Sequence, residues 1–300
     1  MPSPVPAIDR AAEILRFLAS DPRTTRTLSE IARAANVHKA TCASILAALE
    51  THGMVHRDTA TLRYALDSGS LRLAESMRQR YPAYTASRPE IARLSVESGL
   101  SIAAIVRDGD DLVILDVVGD TTPSHLALRI GMRVPLEPPI GTIFKAWGAR
   151  DEIDRWVKLL VQQYGGDRDR HLAAIAALRT RGYSLGGEHD LDLELATALQ
   201  RVNQQDGDVR ALEVALIIAD KLRNSRHSKQ PNADEPVNSI IGPVFGPAGD
   251  VVLTLNAYGP LGSVRRRDLD RLVPVLLRAA TRMTRLTGGR LPAVWPHGEP

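Results

Sequence analysis

Apolar residues recur at helical spacing three times within the first fifty positions. Ile14, Leu15 and Leu18, with Ala11 one turn earlier, share a face and predict a helix over Ala7–Ser20. The polar run DPRTTRT then ends it. Leu28, Ile31 and Ala32 predict a second short helix over Leu28–Ala35. Thr27 suits its N-cap, and Glu30 three residues later suits the reciprocal position of a capping box. Asn36 tolerates a left-handed backbone and so fits a tight turn between helices. Cys42, Ile45, Leu46 and Leu49 fall at i, i+3, i+4 and i+7 of a third helix over His38–Thr51, with Gly53 as its C-terminal cap.

The pattern then changes. Val55, Leu62, Tyr64 and Leu66 predict two short strands, Met54–Arg57 and Leu62–Leu66, joined by DTAT. Helix, helix–turn–helix and β-hairpin in that order describe a winged helix–turn–helix. Helical spacing resumes over Ser68–Arg80 through Leu71, Leu73 and Met77, until YPAYTASRPE interrupts it and marks a domain boundary.

Beyond that boundary the pattern is α/β. Pro89–Ser98 predicts a helix, and Ile102–Val106 and Leu112–Val118 predict strands around the turn DGDD. Leu126–Ile130 adds a strand, and Thr142–Gly148 a helix after VPLEPPIG. Further helices are expected over Asp151–Tyr164, His171–Arg181, Leu191–Val202 and Val209–Asn224, followed by the loop SRHSKQPNADEP. Ser239–Phe245 and Val251–Ala257, split by GPAGD, give a hairpin signal. An amphipathic helix over Val264–Leu286 closes the domain, and the tail GGRLPAVWPHGEP reads as loosely ordered.

Composition narrows the class. Three hundred residues suggest two domains, and 44% apolar with 24% charged residues is ordinary for a soluble globular protein. The sequence has no apolar run long enough to span a bilayer, and MPSPVPAIDRAAEIL lacks the basic and apolar regions of a secretory signal. The single cysteine, Cys42, excludes an internal disulfide framework and a CxxC zinc site. A cytoplasmic protein is expected. Residues 1–80 hold 11 Lys and Arg against 8 Asp and Glu, whereas the other 220 residues balance at 27 against 27. The whole positive excess therefore sits in the winged unit, which suits a polyanion partner.

Enzyme signatures are absent: no GxSxG, HExxH, P-loop or GxGxxG motif occurs. GGEHDLDLE groups His189 with Glu188, Asp190 and Asp192, a set that could hold a divalent metal. With no second His or Cys set at ligand spacing, it reads better as a helix N-terminus where acids favour the dipole. No cofactor is expected. Cys42 lies on the apolar stripe and reads as a small buried hydrophobe, and His38, His52 and His56 as surface or DNA-facing groups.

The third helix carries the clearest chemistry. If its apolar stripe faces the core, its outward face is His38, Lys39, Ala40, Thr41, Ala43, Ser44 and Ala47, slim and polar. A recognition helix offers its first turns to base edges in the major groove, where small residues let the backbone approach and an alanine methyl can touch a thymine methyl. Lys39 can reach a phosphate or a guanine, and Thr41 and Ser44 can donate to either. Arg57 and Arg63 flank the hairpin turn, where a wing would meet phosphates or the minor groove. Arg23 and Arg26 precede the second helix and could contact backbone. The competing reading is a helix–turn–helix used only for packing, with a solvated charged face.

The segments IDRAAEILRFLA, LSEIARAANVHKATCASILAALETHGMVHRD and LRYALDSGSLRLA resemble the DNA-binding half of IclR-type bacterial transcriptional regulators. LRIGMRVPLEPPIGTIFKAWG and SIIGPVFGPAGDVVLTLNAYGP resemble their effector-binding half. The resemblance runs over residues 6–190 and 237–288. It implies an α+β chain: a winged helix–turn–helix (1–67), a linker helix (68–82), and a GAF-like α/β effector-binding domain (83–288). A helical insertion at about 191–236 and a flexible tail (289–300) complete the expected organisation. The implied function is a regulator, taken as a repressor, that binds pseudo-palindromic double-stranded operator DNA as a homodimer or dimer of dimers, without membrane association. A small-molecule effector would adjust operator affinity.

Departures from the family pattern limit what carries over. The family's usual Pro-Lys-Ser-Thr-like start of the third helix, and the His or Arg further on, are replaced by His38, Ala40, Ala43 and Ser44, with Lys39 and Thr41 kept, so no operator sequence can be borrowed. By the resemblance, the effector site comprises Leu136, Glu137, Ile140, Gly141 and Thr142 at the start of a helix, completed by Ser239, Asn256 and Tyr258 from the late hairpin. Glu137, Pro138 and Pro139 replace a polar stretch, which implies a ligand less polar than a short carboxylate, or none. Two rivals stay open: a DNA-binding protein with a ligand-free dimerisation domain, and an enzyme with a regulatory winged helix.

Overall fold

In the computed structural model the chain divides into two units, Met1–Arg80 and Tyr81–Pro300, each with its own apolar core. The structure describes residues 5–21, 23–119, 130–138, 140–164, 166–185, 236–237, 239–259 and 264–296. The strand expected at Leu126–Ile130 (except Ile130), the His189 cluster, the helices over Leu191–Val202 and Val209–Asn224, the loop at 225–235 and Pro139 lie outside them.

The first unit contains α1 (Pro6–Ala19), β1 (Arg26–Thr27), α2 (Leu28–Ala34), α3 (Lys39–Thr51), β2 (Val55–Arg57), β3 (Arg63–Leu66) and α4 (Ser68–Gln79). Local chemistry sets most of these boundaries. The capping box forms as expected: the Thr27 N–H donates to Glu30 Oε2 at 2.7 Å, and the Glu30 N–H donates to Thr27 Oγ1 at 3.3 Å. Hydrogen bonds from the Thr27 backbone and hydroxyl hold the Glu30 carboxyl below its ordinary pKa. Asn36 takes φ 49°, and the Val37 N–H closes the turn on the Ala32 carbonyl at 2.9 Å. Gly53, at φ 66°, ends α3. Ile14, Leu18, Ile31, Cys42, Leu46, Val55 and Tyr64 form the core.

The hairpin departs from expectation in two ways. Arg26–Thr27 joins it as a third strand, giving the antiparallel order β1-β3-β2. Leu62, expected in the second strand, sits instead in the turn at φ 56° and is 54% exposed. The Asp58 carboxylate explains this: it accepts the N–H groups of Ala60 and Thr61, while the Leu62 N–H closes on the Asp58 carbonyl at 2.8 Å. The turn thus takes one residue more than the β-type side chain of Leu62 suggested.

The second unit is built on a six-stranded antiparallel sheet in the order β6-β5-β4-β10-β9-β7. Its strands are β4 (Ser101–Asp108), β5 (Asp111–Val118), β6 (Arg133–Pro135), β7 (Ser184–Leu185), β9 (Ile240–Phe245) and β10 (Val251–Tyr258). A separate two-stranded ladder pairs β8 (Pro236–Val237) with β11 (Val264–Arg265). The helices are α5 (Pro82–Ser98), α6 (Thr142–Lys145), α7 (Arg150–Tyr164), α8 (Arg168–Arg181) and α9 (Leu269–Leu286). One face of the sheet buries Ile102, Ala104, Leu253 and Leu255 against Ile91 and Leu94 of α5 and Leu276 and Leu277 of α9. Each such leucine removed from water stabilises by about 1.5–3 kcal/mol. The other face packs Leu112, Phe245 and Val251 against Phe144, Trp156 and Ile175 of α6, α7 and α8. Glu90 of α5 ties α9 down, accepting from Arg282 Nε at 2.6 Å and from Arg93 Nη2 at 2.7 Å.

Four sequence readings differ from the structure here. YPAYTASRPE does end α4 and hold the boundary between the units at Arg80 and Tyr81, but the break is short: α5 starts at Pro82, not Pro89, and runs straight through Pro89. Tyr84 is fully buried in it and donates its hydroxyl to the buried Asp116 carboxylate at 2.5 Å. Packing on one side outweighs the backbone bond that Pro89 removes. The expected Thr142–Gly148 helix shrinks to four residues, and the closing helix starts at Leu269, after β11 and a 3₁₀ turn at Arg266–Asp268. The tail is docked as far as it is described. Trp295 Nε1 donates to Thr281 Oγ1 at 2.9 Å, and its ring meets Phe245 edge-on at 5.3 Å. Among the described residues no helix is long and apolar enough to cross a membrane.

Candidate functional site

The α3 helix is fixed by one side and presented by the other. Cys42 and Leu46 are fully buried, with Ile45 and Leu49 packed against the same core. Helical geometry then turns His38, Lys39, Ala40, Ser44 and Ala47 to the exposed side, with Thr41 and Ala43 half-buried at its flanks. His38 is the N-cap residue. The Ser44 hydroxyl donates to the Ala40 carbonyl at 3.1 Å, which parks its hydrogen while leaving its oxygen able to accept. Burial pushes the Cys42 thiol pKa up, so it stays protonated as the small hydrophobe its spacing suggested.

The arginines sort into two kinds. Arg57 is exposed on β2, its guanidinium 5.6 Å from the centre of the Tyr64 ring. Arg63 points back into the unit: Nη2 donates to the Thr25 carbonyl at 2.7 Å, Nε donates to Thr25 Oγ1 at 2.9 Å, and Nη2 lies 3.4 Å from Glu30 Oε2. Arg26 stacks 5.0 Å over Phe17, 3.9 Å from Asp21. Arg26 and Arg63 therefore brace the sheet against α1 and α2, while Arg57 offers its charge outward.

A hollow of about 470 Å³ opens beside the start of α3. Arg10 of α1 and Arg33 of α2 line it together with Ala32, Asn36, Val37, His38 and Thr41. Sequence reading missed both arginines. Each sits alone at a helical position that patterning assigns to solvent, and only the packing of α1 against α2 and α3 brings them to one place.

In the second unit the residues implied for an effector fall into two groups on one face of the sheet. Leu253, Leu255 and Ala257 of β10 point to α5 and α9. Alternation sends Thr254, Asn256 and Tyr258 to the face where α6 packs. Asn256 is 5% exposed, and its Nδ2 donates to Thr254 Oγ1 at 3.0 Å. The pairing Ala257↔Ile240 puts the buried Ser239 opposite Tyr258. The other group stands at α6. Gly141, at φ 79°, precedes the helix and leaves no room for a Cβ beside Leu136 Cδ1. Leu136 is buried, Ile140 half-buried and Glu137 exposed. Thr142 Oγ1 accepts from Trp156 Nε1 at 3.2 Å. A single turn carries little of a helix dipole, so the attraction for a carboxylate that a longer α6 would supply is small here. Trp156 and Thr254, which hold Thr142 and Asn256, are further residues the sequence reading missed. Among the described residues no group of three His, Cys, Asp or Glu side chains could hold a metal.

Comparison with known proteins bears on the winged unit and on the fold. The IclR helix–turn–helix domain model matches residues 7–59, α1 through the start of the wing. The HTH-type transcriptional regulator XynR of Escherichia coli (strain K12) is 21% identical over 221 residues, covering 71% of this chain and 86% of that protein. The crystal structure of Thermotoga maritima IclR superposes with a TM-score of 0.62 at 18% identity, covering 94% of this chain and 98% of the other. An IclR transcriptional regulator from Alicyclobacillus acidocaldarius gives a TM-score of 0.53 at 18% identity, covering 95% and 100%. The winged unit therefore carries an IclR-type helix–turn–helix domain over residues 7–59, and the chain shares its fold along nearly its whole length with solved IclR structures.

Proposed function

We propose that the chain is a one-component repressor that grips operator DNA through α3 and the wing and adjusts that grip when a small molecule binds its second unit. One observation carries the DNA part: the exposed side of α3 is slim and polar while its opposite side is locked into the core. His38, Lys39, Ala40, Thr41, Ala43 and Ser44 then meet base edges, Arg57 meets phosphate from the wing, and Arg26 and Arg63 add positive potential behind it. A homodimer or dimer of dimers reads two half-sites of a pseudo-palindrome. Lys39→Ala and Arg57→Ala are each expected to weaken binding about tenfold, which is about 1.4 kcal/mol. A gel shift on a genomic fragment recovered by mapping bound DNA measures it, and unchanged binding by both variants would sink the assignment of this face.

The effector reading rests on the face shared by Thr142, Ser239, Asn256 and Tyr258. With a one-turn α6 and the exposed carboxylate of Glu137 nearby, an aromatic or lipid-like acid suits it better than a short carboxylate. Its coupling to operator affinity is taken as about 1–3 kcal/mol. The chain has three tryptophans, and all lie in this layer: Trp156 holds Thr142, Trp147 follows α6, and Trp295 packs 6.5 Å from Trp147. Titration with aromatic acids is therefore expected to shift tryptophan emission, and Trp156→Phe to remove most of the shift. A response to acetate-sized acids alone would overturn the polarity assigned to the ligand.

A further inference from the structure

We infer that the hollow beside the start of α3 is a seat for a DNA backbone phosphate, clamped by Arg10 and Arg33, which sets the register of the recognition helix. The inference rests on the DNA-binding reading and extends it to two residues outside the expected contact set.

Three observations carry it. First, two arginines from different helices line one hollow, and none of the residues lining it is acidic. Second, neither guanidinium has an ion-pair or hydrogen-bond partner among the described residues. Three other arginines of the unit are tied up by acidic partners: Arg26 with Asp21, Arg63 with Glu30, and Arg78 with Glu75. Two like charges sharing one depression repel in the free protein, and an anion placed between them removes that cost. Third, the hollow is continuous with the proposed recognition face, because His38 and Thr41 are among the residues that line it. A duplex strand beside the first turn of α3 would bring phosphates to this place. A guanidinium meets a phosphate through two parallel N–H···O bonds, a geometry that fixes position as well as charge. The arginines here would supply placement and salt-dependent affinity, with sequence still read by the side chains of α3.

The test uses the full chain and mixed-sequence duplex DNA, followed by fluorescence anisotropy across a salt series. Loss of one phosphate contact lowers the slope of log Kobs against log salt by about 0.9 in magnitude. Arg10→Gln and Arg33→Gln are each expected to lower it by about that amount, and the double variant by about twice as much. Arg10→Lys and Arg33→Lys, which keep the charge, are expected to keep the wild-type slope. Both sites are exposed, so melting temperatures should match the wild type and exclude misfolding as the cause. Wild-type slopes for the glutamine variants, with Lys39→Ala still weakening binding, overturn the phosphate seat and leave the DNA-binding reading standing. If neither Lys39→Ala nor the arginine variants change binding, both fall together.

Discussion

Ala40→Glu is expected to abolish operator binding while leaving the fold intact. Ala40 is the second residue of α3 and exposed, so no core contact is disturbed. An acidic residue in the first turn favours the helix dipole by about 0.3–1 kcal/mol, so thermal stability should hold or rise slightly. Against DNA the same carboxylate is placed beside phosphates and acceptor-rich base edges on a face whose use depends on being slim. Like-charge juxtaposition in an interface costs several kcal/mol, and about 2.7 kcal/mol is already a hundredfold loss. A gel shift should therefore show at least about a hundredfold weaker binding beside an unchanged or higher melting temperature. Ala40→Ser adds a small group that can both donate and accept, and should bind within about threefold of the wild type, less than about 0.7 kcal/mol. Binding by Ala40→Glu at the wild-type level would mean that this side of α3 does not enter the groove.

That the exposed side of α3 could be read from sequence, and the residues proposed for an effector only through resemblance, has a physical basis. In the first unit several boundaries are set by residues within a few positions of them: Thr27 with Glu30, Asn36 at the turn, Gly53 after α3. Local chemistry of that kind leaves a signature in the sequence. The arginines do not, because the state of a guanidinium depends on what packing brings to it. Arg63 is held by Thr25, 38 positions away. Arg10 and Arg33 look like any solvated helix charges until α1 crosses α2 and α3. In the second unit, distant contacts overrule local signals repeatedly. Pro89 reads as a helix start yet lies inside α5, because Tyr84 and Ile91 are buried on either side of it. The tail reads as loose yet holds Trp295 against Phe245 and Thr281. The polar pair Asn256 and Thr254 sits on one strand, but only the clusters on both faces of the sheet say which way it points.

Gly69→Ala is expected to destabilise the first unit strongly, although helix propensity alone gives the opposite sign. Gly69 is the second residue of α4, with an ordinary helical backbone, and there alanine is favoured over glycine by about 1 kcal/mol. Contact geometry reverses this. The Gly69 N–H donates to the Gly53 carbonyl at 2.8 Å, so the start of α4 lies directly against the turn that ends α3. A Cβ there would collide with Gly53 O and stand 2.9 Å from Gly53 C and 3.2 Å from His52 O. All three are backbone atoms, and no rotamer change relieves them. The helix start must move away, which breaks the Gly69 bond and the Ser70 Oγ bond to the Met54 carbonyl at 3.0 Å. Two lost bonds, with buried groups left unpaired, come to about 2–4 kcal/mol, more than the propensity gain. For a unit of this size about 2 kcal/mol net lowers the melting temperature by about 8–16 °C. The effect should reach DNA as well, because Gly53 joins α3 to β2, and a displaced α4 pushes on the joint between the recognition helix and the wing. Circular dichroism melts of the full chain should show the loss confined to part of the signal, since the second unit has its own core. A melting temperature equal to or above the wild type would mean that propensity, not the contact at Gly53, governs this position.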